Sequence, residues 1–309
     1  MGSSDALHDR LLSHRLRGFS PFEGSLAGLR AALDQGVKWI EIDTRIAQDG
    51  TLLVFHDSRL DRLTCESGPV ADYSVTLRGL PRYRGSPEVE VPTLEEFLRE
   101  FAARRGSTQL MLDIKDAGSE EGHCRCVAAA GLEDSVWIIA WSPQVLRRVH
   151  EIAPHLRLGL SHVPLTRWRP VLRAAVRMLG RGKALRAVGR LLDRLGVDHD
   201  LQDVVLYLDE YNGAADPLER ARGSFPIHFA SSVPGGEVGE LLRRTGGGVG
   251  APAKLLTPDY VERAHQEGLS VFVYSFDSLA AARKARNRTD VDIIFTNNPQ
   301  LFAQARSEK

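Results

Sequence analysis

Two histidines, four carboxylates and two cations stand at or near the ends of short apolar runs. His14 and Arg15 follow Leu11-Leu12-Ser13, Glu41 and Asp43 lie in WIEIDTR at 39 to 45, His56 and Asp57 in LLVFHDS at 52 to 58, and Asp113 and Lys115 in QLMLDIKD at 109 to 116. Glu41 and Asp43 alternate with Ile40 and Ile42, so on a strand both carboxylates leave the same side. Alone, a Glu-x-Asp pair fits a solvated strand edge. Joined by Asp113, it would hold one hard divalent cation, Mg²⁺ or Ca²⁺, with positions open to water and substrate. Arg15 and Lys115 would neutralise the non-bridging oxygens of a phosphate. His14 and His56, with ordinary pKa values of about 6.5, would supply a base for the nucleophile and an acid for the leaving alkoxide, as phosphodiester cleavage requires. Asp57 reads as a group that orients a neighbour rather than as a ligand.

For these groups to meet, their strands must lie side by side. The segment at 11 to 14 reads as a first strand. SLAGLRAALDQG at 25 to 36 reads as a helix, with Ser25 as N-cap, one apolar face through Leu26, Leu29, Ala32 and Leu33, and Gly36 as its stop. WIEID is the second strand, and the Gln48-Asp49-Gly50 turn sends LLVFHD back along it. Thr93 and Glu96 form a capping box at the start of a helix. Strands at 109 to 116, 136 to 141, 157 to 161, 270 to 276 and 291 to 297 then alternate with helices, which implies parallel pairing through right-handed crossovers. The predicted fold is a single (β/α)8 TIM-type barrel over 1 to 309, with its chemistry at the C-terminal ends of the strands. It carries a small loop-rich insertion over 58 to 91, after the second strand, and a helical insertion over 165 to 200. Between 200 and 256 the segments at 204 to 208, 226 to 232 and 246 to 252 all look strand-like, more than the barrel needs, and the sequence does not rank them.

Composition excludes several classes. Lys and Arg number 40 and Asp and Glu number 40, so no global field favours nucleic acid, and none is expected as a partner. Cys65, Cys124 and Cys126 lack metal-site spacing and read as thiols of a reducing compartment. With no apolar run of about 18 residues and a polar start, the chain is expected to be soluble and cytoplasmic. Charge is local: the segment 165 to 196 carries nine Lys or Arg against Asp193. Arginines recur every fourth residue there, which predicts two amphipathic helices hinged between Gly180 and Gly182. Either this is a solvated cationic face, or it is a lid that makes peripheral contact with anionic membrane.

These motifs resemble the glycerophosphodiester phosphodiesterases, most specifically over 13 to 116 and more loosely over 257 to 300. The family's His-Arg-Gly is similar to His14-Arg15, its Pro-Glu-Asn-Thr to Pro21-Phe22-Glu23-Gly24-Ser25, and its Glu-x-Asp, Asp-Gly and His-Asp to Glu41-Ile42-Asp43, Asp49-Gly50 and His56-Asp57. Val91-Pro92-Thr93-Leu94-Glu95-Glu96 and Asp113-Ile114-Lys115 match its later segments. The resemblance implies a TIM-type barrel, a divalent metal on Glu41, Asp43 and Asp113, His14 and His56 as the acid–base pair, and Arg15 and Lys115 on a small phosphodiester substrate. Departures are Leu16 in place of Gly, Gly24-Ser25 in place of Asn-Thr, and Asp113 in place of Glu. They leave open whether Arg15 or Arg17 meets the phosphate. The expected activity is hydrolysis of a glycerophosphodiester or lysophospholipid-like diester, with water or a substrate hydroxyl as nucleophile. A barrel that has lost catalysis and binds phosphate or lipid is the alternative. Trp141, Trp168, Tyr274 and Phe276 are candidates for an apolar pocket lining, although core packing is the expected fate of most of them.

Overall fold

The computed structural model describes residues 6–163, 178, 186–187, 189–191, 193–194, 204–207, 225–228 and 233–307. In chain order its strands are β1 (Leu11–His14), β2 (Trp39–Ile46), β3 (Leu52–Val54), β4 (Gln109–Ile114), β5 (Val136–Ala140), β6 (Arg157–Ser161), β7 (Val204–Tyr207), β8 (Phe225–His228), β9 (Gly248–Pro252), β10 (Ser270–Tyr274) and β11 (Ile293–Thr296). The labelled helices are α1 (Leu7–Arg10), α2 (Leu26–Asp34), α3 (Val75–Arg78), α4 (Leu94–Arg104), α5 (Glu120–Ala129), α6 (Pro143–Ile152), α7 (Gly236–Arg244), α8 (Pro258–Gln266), α9 (Leu279–Thr289) and α10 (Gln300–Arg306).

Eight strands pair in parallel in the order β1-β11-β10-β9-β6-β5-β4-β2, and β2 returns to β1 to close the barrel. This is the (β/α)8 architecture expected from the strand and helix alternation. β3 runs antiparallel on β2, as the Asp49-Gly50 turn predicts. Of the three strand-like segments left unranked, Gly248–Pro252 enters the barrel between β6 and β10, while β7 and β8 pair with each other in a separate sheet.

Alternation along each strand splits the interior into two apolar layers. Outward residues such as Ile40, Ile42, Leu110, Leu112, Ile138 and Leu158 pack under the helices, where α4 contributes Leu94, Phe97, Leu98 and Phe101. Inward residues Leu12, Met111, Trp137, Ile139, Phe272, Ile293 and Phe295 fill the barrel itself. Phe272 explains the glycines opposite it: a Cβ on Gly250 would lie 1.9 Å from its ring, and one on Gly159 would lie 2.7 Å from Ile139. The barrel is therefore plugged below its C-terminal end, and a site can form only above the plug.

Helix ends follow their local signals. The Ser25 hydroxyl accepts from the Gly28 amide at the start of α2, and Thr93 and Glu96 form the reciprocal capping box on α4. The excursion after β3 has a small core of its own, with Phe55, Leu60, Val70, Tyr73, Tyr83 and Val91 buried together. Most of the predicted basic helices, and Trp168 with them, lie outside the described residues. Within that stretch 186–187, 189–191 and 193–194 are helical, and Leu191 packs against the barrel's inner cluster. Among the described residues no helix is long and apolar enough to cross a membrane.

Candidate active site

Strand register does most of the assembly. His14 sits opposite Glu41 across β1 and β2, and Asp43 sits opposite Asp113 across β2 and β4. Glu41, Asp43 and Asp113 all point inward above the plug, buried, with carboxylate oxygens within 4.8 Å of one another. β3 then carries the chain back along β2, where the Phe55 amide donates to the Asp43 carbonyl at 3.0 Å, and His56 arrives at the mouth. His14, Arg15, Glu41, Asp43, His56, Asp113 and Lys115 line one cleft of about 470 Å³. The seven residues predicted as acid–base groups, phosphate contacts and metal ligands thus line this one cleft.

The cations face the acids. Arg15 Nε lies 2.8 Å from Asp43, and Lys115 Nζ bridges Asp43 at 2.7 Å and Asp113 at 2.5 Å. The Arg15 amide also donates to Glu41 at 3.1 Å. Burial by itself would raise the Asp43 carboxyl, but Lys115 and Arg15 hold it well below the usual carboxylate range. Glu41 is pushed well above that range by burial and by Asp43, and Asp113 is raised by burial that Lys115 only partly offsets. Ionised together, the three carboxylates would outnumber the two cations and leave an excess negative charge, and buried Asp113 Oδ1 has no hydrogen-bond partner. Crowded oxygen donors with unmet negative charge fit a hard divalent cation.

Each histidine is held by its Nδ1. His14 Nδ1 meets Asn297 Oδ1 at 2.9 Å, and its Nε2 lies 3.8 Å from Glu41. His56 Nδ1 meets Asp57 at 2.8 Å, the orienting role expected for that carboxylate, and Arg62 grips the same carboxylate at 2.6 and 2.9 Å. His56 Nε2 is buried without a hydrogen-bond partner. Burial, with Arg15 adding to it, lowers the His56 imidazole to about 4, and burial likewise lowers His14.

Several contributors carried no sequence signal of their own. Arg45 shares the inward parity of Glu41 and Asp43; it pairs with Asp116 at 2.9 Å and donates to the His56 carbonyl at 2.9 Å. Asp116 also accepts from the Ile46 amide, so a buried pair fixes β2 to the backbone that carries His56. The far wall is apolar: Ile139, Trp141, Tyr274 and Phe295, with Ser161 and Ser275. Trp141 and Tyr274 line the cleft as expected, whereas Phe276 packs against the layer between barrel and helices.

Leu16, standing where glycine was expected, adopts φ +57° with its side chain fully buried. The left-handed backbone costs about 1–2 kcal/mol in an L-residue, and burial of a leucine returns about as much or more. Gly24 has φ +72° and donates its amide to the Arg15 carbonyl at 2.9 Å, so this turn favours glycine over the asparagine of the resembled motif.

The sequence model of the Glycerophosphoryl diester phosphodiesterase family matches residues 10–301. The chain belongs to that family. Among curated relatives, a glycerophosphodiester phosphodiesterase of Bacillus altitudinis is 30% identical over 164 residues, covering 49% of this chain and 65% of the relative. One from Caldanaerobacter subterraneus is 26% identical over 165 residues, covering 49% and 66%. The chain therefore spans just under two thirds of the length of each. Solved structures are similar over nearly the whole chain. A glycerophosphodiester phosphodiesterase from Agrobacterium tumefaciens aligns with a TM-score of 0.62 at 21% identity, covering 96% of this chain and 99% of that one. An Oleispira antarctica phosphodiesterase, solved with its product sn-glycerol-3-phosphate, aligns at 0.62 and 17% identity, covering 96% of each chain. At such identities the likeness is one of fold.

Proposed function

We propose that this chain is a metal-dependent phosphodiesterase that hydrolyses glycerophosphodiesters or related lysophospholipid-like diesters. The observation that carries the reading is the placement of Glu41, Asp43 and Asp113 in one buried cluster between two histidines, inside a family of this activity. Glu41, Asp43 and Asp113 would hold Mg²⁺ or Ca²⁺, which supplies Lewis-acid stabilisation of charge developing on the phosphoryl oxygens.

The remaining chemistry belongs to the chain's own side chains. Arg15 and Lys115 line the cleft beside Asp43 and face the non-bridging oxygens of the bound diester. One histidine Nε2 removes a proton from the nucleophile, a water or a substrate hydroxyl, as the new P–O bond forms. The other Nε2 delivers a proton to the departing alkoxide as the old P–O bond breaks. Because their Nδ1 atoms are engaged by Asn297 and Asp57, both Nε2 atoms are directed to the cleft. The wall of Trp141, Tyr274 and Phe295 would take the carbon skeleton of the alcohol.

The test is a screen of glycerophosphodiesters and lysophospholipids with Mg²⁺, Ca²⁺ or chelator. Release of glycerol phosphate or of the free alcohol should stop on chelation, and His14→Ala and His56→Ala should each lower kcat by about 10²- to 10⁴-fold. Turnover indifferent to chelator, or to both histidine changes, overturns the metal and acid–base assignments, and no turnover of any diester favours a binding module.

A further inference from the structure

The contacts that hold the two histidines do not end at Asn297 and Asp57. They meet at one residue.

On the β1 side, Asn297 donates its amide nitrogen to the Asp277 carboxylate at 3.3 and 3.4 Å, and its backbone N–H donates to the same group at 2.8 Å. A carboxylate only accepts, so the amide orientation is set: Oδ1 faces His14, and His14 Nδ1 carries the proton. Arg17 donates to that same Oδ1 at 3.3 Å, and its Nε donates to Glu23 Oε2 at 2.7 Å. On the other side, His56 Nδ1 donates to Asp57, Arg62 clasps Asp57 through two nitrogens, and Arg62 reaches Glu23 Oε1 at 2.8 Å. The path therefore runs His14, Asn297, Arg17, Glu23, Arg62, Asp57, His56. It passes outside the carboxylate cluster and returns to the other wall of the same cleft.

Glu23 is built for two arms. Each of its oxygens accepts from one arginine of this path, Arg15 lies close enough to add its charge, and the Glu23 side chain is only 12% exposed. Its backbone is pinned from both sides: the Tyr83 hydroxyl of the excursion donates to its carbonyl at 2.9 Å, and the next amide, Gly24, bonds back to Arg15. The three loops so joined follow β1, β3 and β11, elements that share no helix. A carboxylate accepting from two guanidiniums is a strong, directional joint.

We infer that Glu23 is a positioning residue that sets both histidines together, holding each ring with Nδ1–H outward and Nε2 toward the cleft. The inference rests on the proposed roles of His14 and His56, but it makes a claim about ring state that can be read without turnover.

The experiment uses the full chain with ¹⁵N-labelled histidine, whose ring shifts separate the Nδ1–H from the Nε2–H tautomer. Wild-type His14 and His56 should both be in the Nδ1–H form when neutral. Glu23→Met keeps bulk and removes both acceptors, so both rings should become tautomer mixtures, and kcat should fall about 10- to 100-fold with KM little changed. Arg17→Met should disturb only His14, and Arg62→Met only His56. Glu23→Asp should recover part of kcat. Unchanged tautomers in Glu23→Met overturn the inference, including the case in which the variant merely loses thermal stability, as does an Arg62→Met variant that shifts His14 and spares His56. If the wild-type chain cleaves no diester, the proposed function fails, and the ring shifts still decide this one.

Discussion

The mouth of the barrel has two unlike halves. Over β1, β2 and β4 it is built from ionisable groups set against one another; Arg15, Asp43, Lys115 and Asp113 form a chain of ion pairs at 2.5 to 2.8 Å. Over β5, β6, β10 and β11 it is built from Ile139, Trp141, Ser161, Tyr274 and Phe295. Both sit on the same plug and the same strand geometry. The difference shows that the fold supplies directions and the side chains supply function: one half concentrates charge where a phosphoryl group would react, and the other offers shape to whatever is attached to it.

The deepest cut falls in the charged half. Asp43→Asn removes the shared partner of Arg15 and Lys115, so activity should drop to background. Urea unfolding should show a loss of about 3–5 kcal/mol, the cost of leaving buried charge uncompensated. Retained stability would mean that the two cations find other partners and that the halves are less distinct than their geometry.

Acid sensitivity should be shared by both halves. His123, behind β2, accepts from the Thr44 hydroxyl at 2.7 Å and donates to the Ser119 carbonyl, and His162, after β6, meets the Tyr260 hydroxyl at 2.9 Å. Burial lowers each to about 4. Between about 6.5, the unfolded value, and that folded value the unfolded chain binds more protons, so stability falls as pH falls through the window. Each histidine accounts for about 3 kcal/mol by the bottom of it. Denaturant midpoints at pH 7 and pH 5 should differ, and His162→Gln should remove part of the slope.

A milder change separates binding from chemistry. Trp141→Leu keeps the wall apolar but smaller, and should raise KM about tenfold with kcat within about threefold, roughly the worth of a few buried methylenes. A fall in kcat alone would move Trp141 into the reacting half. Smallest of all, Tyr274→Phe removes a hydroxyl that donates to the His162 carbonyl at 3.3 Å. It should cost about 1 kcal/mol in thermal denaturation and leave kcat alone.

The charged half was readable from sequence because its grammar is local. Glu41 and Asp43 two apart on an apolar strand, a turn of Asp49-Gly50, and His56 on the returning strand are all decided within twenty positions, as is the Thr93 capping box. The apolar half was less readable, since tryptophan and tyrosine at a strand end look the same whether they line a cleft or pack a core. Gly248–Pro252 resisted assignment because Gly250 answers to the Phe272 ring and Gly248 to the Ser270 backbone, facts of packing with no trace in the glycines themselves. Arg17 and Glu23 stood in the resembled motif, but the joint role of Asn297, Glu23, Arg17 and Arg62 escaped for another reason. Their meaning lies in one another, and the loops that carry them lie far apart in the chain.

One consequence follows from the seam where β1 closes the barrel between β2 and β11. The acceptor of the His14 ring comes 283 positions later in the chain. During synthesis from the N-terminus, the carboxylate cluster and His56 can be complete while His14 still lacks both its second neighbouring strand and its anchor. Competence therefore does not accumulate with length. It arrives in one step when β11 emerges, so nascent chains paused before that strand should be inert toward phosphodiesters.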